Sequence, residues 1–303
     1  MLKRLRVKKG VTLKLSSNQP DWWLMGLVLG LTIFGLVMVA NVSVVEAFQD
    51  FSDQYYYFRL QLIWAAIGVP AFFLASFVNY HRFKKFAFPL MLGALFLLVL
   101  VLIPGVGTEV MGAKRWLGVG GFSFQPAELV KLAFVIYLSF FLSKKRKPWP
   151  FLSLLGIILL LIMLEPDLGT ALIVSATGMI VYFASGAPLL LIGGVGSLGI
   201  LGVVGLILSS NYRRERFLTF INPGRDPLGA SYHIRQILIA LGSGGLTGLG
   251  LGQSRQKHEF LPAVTTDSIF AVIGEELGFV GAFLVISCYL FFIWRGIKIA
   301  KEA

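Results

Sequence analysis

The residues best suited to chemistry lie at the edges of apolar runs. Asp267 is the only acid between Glu259 and Glu275, and it stands where a long polar stretch meets an apolar one. Upstream lie seven basic residues: Arg213, Arg214, Arg216, Arg225, Arg235, Arg255 and Lys257. A carboxylate at such a boundary can take a proton from an attacking hydroxyl, while arginines bind anionic oxygens in bidentate fashion. Two plainer readings stand beside this one. Thr265, Thr266, Asp267 and Ser268 all suit a helix start, so Asp267 can be a cap, and the arginines suit a solvated loop.

A second group lies earlier. Gln125-Pro126-Ala127-Glu128-Leu129-Val130-Lys131 opens an apolar run, with Pro126 suited to the first helical position. Glu128 and Lys131 are three apart and share a helix face, as a surface ion pair or as polar lining of a cavity. Lys114 and Arg115 precede them, and Glu165-Pro166-Asp167 forms a further polar turn in which Asp167 suits a helix cap. His81, His233 and His258 are scattered and no metal-ligand set is visible. The glycines from Gly242 to Gly252 suit tight turning, with a phosphate cradle as the sharper alternative. Tyr232–Leu241 is apolar with polar interruptions and suits an interfacial or re-entrant segment.

The elements that must hold these residues are membrane helices. The chain has 303 residues, is 56% hydrophobic and is only 14% charged, where soluble domains carry roughly 25% charged residues. Apolar runs near the roughly 20 residues that cross a bilayer are spread over its length. The expectation is an all-α polytopic transmembrane bundle forming one domain over 1–303. Eight spans are read near 24–45, 60–78, 86–103, 127–142, 151–164, 168–184, 189–208 and 268–294. The run from Leu24 lacks a small-residue cleavage site and reads as a retained span. Cys288 lies in an apolar run and reads as packing.

Charge sets the expected orientation. With the N-terminus cytoplasmic, one side receives Lys3, Arg4, Arg6, Lys8, Lys9, Lys14, Arg82, Lys84, Lys85, Lys144, Lys145, Arg146, Lys147, Arg295, Lys298 and Lys301. The short loops opposite receive only Arg59, Lys114 and Arg115. The positive-inside rule then puts both ends, including the basic stretch 1–21, in the cytoplasm and a large loop, 209–266, outside. The net charge of +12 therefore follows largely from topology and is no sign of nucleic-acid binding. Nucleotides are scarce outside, so the expected substrate is membrane-borne and anionic.

Five segments resemble the SEDS family (shape, elongation, division and sporulation), which includes FtsW, RodA and SpoVE. They are GAKRWL at 112–117, QPAELVKL at 125–132, PDLGTA at 166–171, the stretch from Arg216 through NPGRDPLGASYHIRQ to GSGGLTGLGLGQSRQK, and FLPAVTTDSIFAVIGEELG at 260–278. The GLGQSRQK segment looks more like FtsW than RodA. The resemblance implies a peptidoglycan glycosyltransferase that polymerises lipid II at the outer face of the bacterial cytoplasmic membrane, without an organic cofactor, with divalent-cation use left open. It implies Asp267 as general base. Glu128, Lys131, Lys114, Arg115, Arg213, Arg214, Arg216 and Arg225 are the substrate-binding candidates. A class B penicillin-binding transpeptidase and other division or elongation proteins are the implied partners. The chain departs from the family at Ala263, Val264 and Thr265, where Glu and His are common, at Ser268 for a usual Phe, and at Glu165 for a usual Gln. It also stops two spans short of the usual ten. A lipid II flippase and a non-catalytic scaffold are the rival functions.

Overall fold

The computed structural model describes residues 20–110, 113–119, 122–143, 148–222, 231–257 and 265–302. These form an all-α helical bundle with one small sheet, in two compact units: Met1–Val78 with Ile207–Ala303, and Asn79–Leu206.

In the first unit, α1 (Trp22–Val42) packs with α3 (Tyr56–Phe77) and α11 (Ile269–Glu302), and α2 (Val44–Phe51) is a short connection. Asp21 caps α1 by accepting the Leu24 N–H at 3.0 Å. The same carboxylate accepts from Arg295 Nε near the far end of α11 at 2.6 Å. Burial alone would raise the Asp21 carboxyl, but the Leu24 amide and the Arg295 guanidinium hold it below its usual range. The expected loop 209–266 is more structured than a loop. It carries α9 (Asn211–Ile221) and α10 (Tyr232–Ser243). Tyr232–Leu241, read as an apolar interfacial segment, forms most of α10. The core joins Met38 and Val42 of α1, Ala240 of α10, and Ala271, Val272, Ile273 and Val285 of α11.

The second unit holds α4 (Phe83–Leu102), α5 (Pro126–Phe141), α6 (Trp149–Leu164), α7 (Leu168–Ala184) and most of α8 (Leu189–Leu208). Phe134, Leu138, Phe151, Ile158, Ile162 and Val174 fill its core. Gly178 is required there: a Cβ would stand 2.8 Å from the Phe134 ring. Pro126 opens α5 where its missing N–H costs nothing, and Asp167 caps α7. The cap reading of Asp167 is therefore what the structure shows.

All eight expected spans are helical, but five helices, not eight, are long and apolar enough to cross a membrane among the described residues: Trp22–Val42, Tyr56–Phe77, Tyr80–Leu102, Leu189–Leu208 and Ile269–Glu302. The others, α5, α6 and α7, have 16, 16 and 17 residues. At about 1.5 Å per residue they reach roughly 24–26 Å, against about 30 Å of hydrocarbon. Hydropathy marks where an apolar run lies; caps and turns decide how much of it is helix. No residue of α3 or α8 is buried, and Leu190 is 91% exposed, as suits surfaces that lipid covers.

The sheet was not expected. Antiparallel β1 (Gly107–Val110), β2 (Ala113–Val119) and β3 (Phe122–Phe124) lie between α4 and α5, with an irregular register at Thr108/Glu109. Lys114 and Arg115, read as loop residues, are on the central strand.

Candidate functional site

The candidate residues fall into two groups, one in each unit. In the second unit, β2 and the starts of α5 and α7 bring several together. Lys131 Nζ donates to Glu128 Oε1 at 2.7 Å, so the expected pair forms. Its side chains are open to solvent, with Glu128 60% and Lys131 27% exposed. Water screens such a pair, so it contributes at most about 1 kcal/mol to stability. Lys114 is half-buried. Arg115 straps the sheet to the α6–α7 turn, donating from Nε to the Glu165 carbonyl at 2.9 Å and from its terminal nitrogen to the Pro166 carbonyl at 2.5 Å. A guanidinium has five N–H donors, so part of it remains for an anion. Gln125 Nε2 donates to Asp167 Oδ2 at 3.2 Å, and the Thr170 amide and hydroxyl donate to the same carboxylate.

Glu165 ends α6 with its side chain fully buried, and neither carboxyl oxygen has a hydrogen-bond partner among the described residues. Burial pushes its carboxyl from the ordinary 4.5 up to about 7; the Asp167 carboxylate adds to this and the Arg115 guanidinium opposes it. At moderately acid pH this group is a neutral acid, a form that costs far less to bury than the carboxylate.

In the first unit, Asp267 lies on the turn 265–268 ahead of α11, exposed. Among the described residues its carboxylate has no hydrogen-bond or ion-pair partner. The helix start falls one residue later: Ser268 O accepts from the Ala271 N–H at 2.9 Å. Arg213, Arg214 and Arg216 lie on α9, with Arg214 and Arg216 exposed and Arg213 half-buried. Arg225 lies outside the described residues.

Sequence reasoning missed the polar structure behind Asp267. Helix α11 is interrupted at Gly278, whose φ of 67° and ψ of −167° break the helical ladder. The loop after α10 fills the break. Leu249 N and Gly250 N donate to the carbonyls of Glu275 and Glu276, both at 3.0 Å, while Phe279 N and Val280 N donate to the carbonyls of Gly245 and Leu246. The backbones approach so closely that a Cβ at Gly248 would lie 2.1 Å from Glu276 O, and Gly248 also has φ of +81°. The glycine run is thus used for close backbone approach, and the donors it presents meet carbonyls of the same chain.

Two buried carboxylates sit in this interlock. Glu275 accepts from Ser254 Oγ at 2.5 Å, Arg255 N at 3.0 Å and Gln256 N at 3.4 Å. Glu276 accepts from Asn41 Nδ2, Ser254 N and Lys257 Nζ. The ammonium of Lys257 donates to Asn41 Oδ1, Gly252 O and Glu276 Oε1 at 2.9, 2.9 and 3.2 Å, which uses its three donors. Lys257, read as part of a cationic substrate-facing loop, is buried and paired. Glu275-Glu276 at the head of an apolar run was the available signal, since carboxylates at such depth need partners. His233 was also missed: its Nε2 lies 2.8 Å from Ser268 Oγ.

The chain is similar to known proteins along most of its length. The family model described as "Cell cycle protein", covering FtsW, RodA and SpoVE, matches residues 21–303. The chain is 44% identical to stage V sporulation protein E of Bacillus subtilis (strain 168), over 94% of this chain and 80% of that protein. It is 37% identical to a probable peptidoglycan glycosyltransferase FtsW of Geobacter sp. (strain M18), over 90% of this chain and 77% of that one. Among solved structures, it resembles a chain from a study of how a peptidoglycan synthase complex coordinates polymerization and crosslinking, at a TM-score of 0.69 and 30% identity, covering 91% and 76% of the two chains. It also resembles the Thermus thermophilus rod shape determining protein RodA, at a TM-score of 0.62 and 27% identity, covering 93% and 74%.

Proposed function

This chain belongs to the FtsW/RodA/SpoVE family of cell cycle proteins, and from that premise we propose that it is a multi-pass membrane glycosyltransferase that polymerises lipid II. In the proposed reaction the 4-hydroxyl of an acceptor sugar attacks the anomeric carbon of a donor. The carbon–oxygen bond to the undecaprenyl diphosphate breaks, configuration inverts, and the hydroxyl proton passes to Asp267. The diphosphate leaves with its charge balanced by cations, for which Lys114, Arg115, Lys131, Arg213, Arg214, Arg216 and Arg225 are the candidates.

The observation that carries the reading is Asp267 itself: an exposed carboxylate without a partner among the described residues, just before the helix start and not serving as its cap. Asp267→Asn keeps its shape and removes the base. The protein in liposomes supplied with lipid II is expected to lose glycan polymer with this change while still binding the lipid. Wild-type polymerisation by the variant would sink the assignment. Scoring translocation of lipid II in the same vesicles separates the flippase reading.

The expected topology is part of the proposal: the three shorter helices α5, α6 and α7 cross along with the five long ones, in one domain with both ends cytoplasmic and 209–266 external. The Asp21–Arg295 ion pair supports it, since it puts the start of α1 and the end of α11 at one level. Gln253 is exposed: with Cys288 replaced, Gln253→Cys should react with an impermeant thiol reagent from outside, and labelling from the cytoplasm alone would overturn this orientation. A class B penicillin-binding transpeptidase is the proposed partner, in line with the relative studied in a synthase complex.

A further inference from the structure

The carboxylate of Asp267 is useful only if it leaves the chain in a fixed direction, and the turn that carries it stands just ahead of α11. Helix α11 begins at the end of the turn 265–268, where Ser268 O receives the Ala271 N–H at 2.9 Å. Beyond it, α10 packs beside α11. Leu241 occupies the space a Cβ at Gly274 would need, at 2.5 Å from its Cδ2. Ala240 shares the core with Ala271, Val272 and Ile273. Eight residues before Leu241 on α10 stands His233; six before Gly274 stands Ser268. The two helices therefore run in the same direction, and the head of α10 meets the head of α11.

At that meeting point His233 Nε2 lies 2.8 Å from Ser268 Oγ. Ser268 is 1% exposed, so its hydroxyl has almost no access to water and needs protein partners. The imidazole is half-buried on a helix whose backbone is fixed by packing. A bond from a packed helix to the residue next to Asp267 gives this turn a side-chain tether. A reacting group displaced by about 1 Å can lose on the order of 100-fold in rate.

We propose that His233 is a positioning residue of this site: through the Ser268 hydroxyl it holds the turn that carries Asp267 and so aims the carboxylate. The inference rests on the reading of Asp267 as the general base. It assigns His233 no contact with substrate and no proton of the reaction. Neutral imidazole serves with Nε2 as donor or acceptor, because the serine hydroxyl can take the opposite role.

The test compares His233→Phe, which keeps a planar ring and removes the bond, with His233→Gln, whose amide reaches about as far as Nε2. Ser268→Ala removes the other partner, and Asp267→Asn serves as the reference. Each full chain is reconstituted in liposomes and assayed for polymer over a range of lipid II concentrations. His233→Phe and Ser268→Ala should each lower kcat by about 10- to 100-fold with KM changed less than about two-fold, since orientation is lost and lipid binding is not. His233→Gln should restore most of the rate. The double variant His233→Phe/Ser268→Ala should be no slower than Ser268→Ala alone, because that change already removes the bond to His233. If His233→Phe fails to insert and fold, judged by elution profile and thermal unfolding in detergent, Ser268→Ala carries the comparison.

Wild-type kcat in both single variants, with Asp267→Asn inactive, overturns the tether and leaves the base assignment standing. A Gln variant as slow as the Phe variant, or fully multiplicative losses in the double variant, also overturns it. An active Asp267→Asn, or a wild-type chain that makes no polymer, overturns the reading beneath it and the tether with it.

Discussion

Replacing Glu165 by Gln should change how stability depends on pH, and the size of the change follows from its surroundings. The folded carboxyl gives up its proton near pH 7, and an unperturbed one near 4.5. Between those values the folded state holds a proton that the unfolded state has lost. Stability from this group is therefore fully present below about pH 4.5, falls as pH rises, and is gone above about pH 7. A gap of about 2.5 pH units at about 1.4 kcal/mol each gives at most about 3.5 kcal/mol. The Glu165→Gln variant has no proton to lose at this position, so the wild type should weaken relative to it by up to that amount between pH 4.5 and pH 7. Denaturant unfolding in detergent across this range measures the difference, and the infrared band of a protonated carboxyl reports the same group directly. Asp167→Asn should lower the midpoint, since Asp167 is the second cause of the shift and Asn can still cap α7. A wild-type-to-variant difference that stays constant from pH 4.5 to pH 7, or a carboxyl band that titrates near 4.5, would refute this account of the buried acid.

Two further outcomes are expected at the cationic groups. Replacing Glu128 and Lys131 together by Gln and Met should change stability by no more than about 1 kcal/mol, because the pair is solvent-screened, yet abolish polymerisation; full activity in the double variant would remove the pair from the site. Gln at Arg213, Arg214, Arg216 and Arg225 together should raise the lipid II concentration for half-maximal rate without lowering the amount of inserted protein. An unchanged concentration dependence would return these arginines to a solvated surface.

What the sequence made legible was set by the range of the interactions involved. Apolar runs place all eight expected helices because burial in lipid depends on composition along the chain. The ends of α5, α6 and α7 depend on turns and caps, and Asp167 was readable as a cap only because that bond spans three residues. The sheet was hidden by glycines and by a short alternation in which Lys114 and Arg115 look like loop residues. Arg115 reaches Glu165 across 50 residues and His233 reaches Ser268 across 35, so neither contact has a local pattern. Glu275 and Glu276 differ from these. Two acids at the head of an apolar run announce buried partners, and only the identity of those partners, Asn41, Ser254 and Lys257, needed the structure.

The interruption at Gly278 also constrains the order in which this protein can be assembled. As one rod, the 34 residues of α11 would measure about 51 Å, far more than the roughly 30 Å of hydrocarbon. The part after Gly278 alone reaches roughly 36 Å and can enter the bilayer as soon as it leaves the ribosome and translocon. The part before it cannot rest in lipid alone, because Glu275 and Glu276 bring charges and orphan carbonyls that the glycine-rich loop, the residues 254–257 after it and Asn41 of α1 satisfy. That loop is synthesised first and has no helical break to fit until Gly278 has followed it out. The two must close together, after both have been made, so nascent chains that end before Gly278 would hold an unclosed loop.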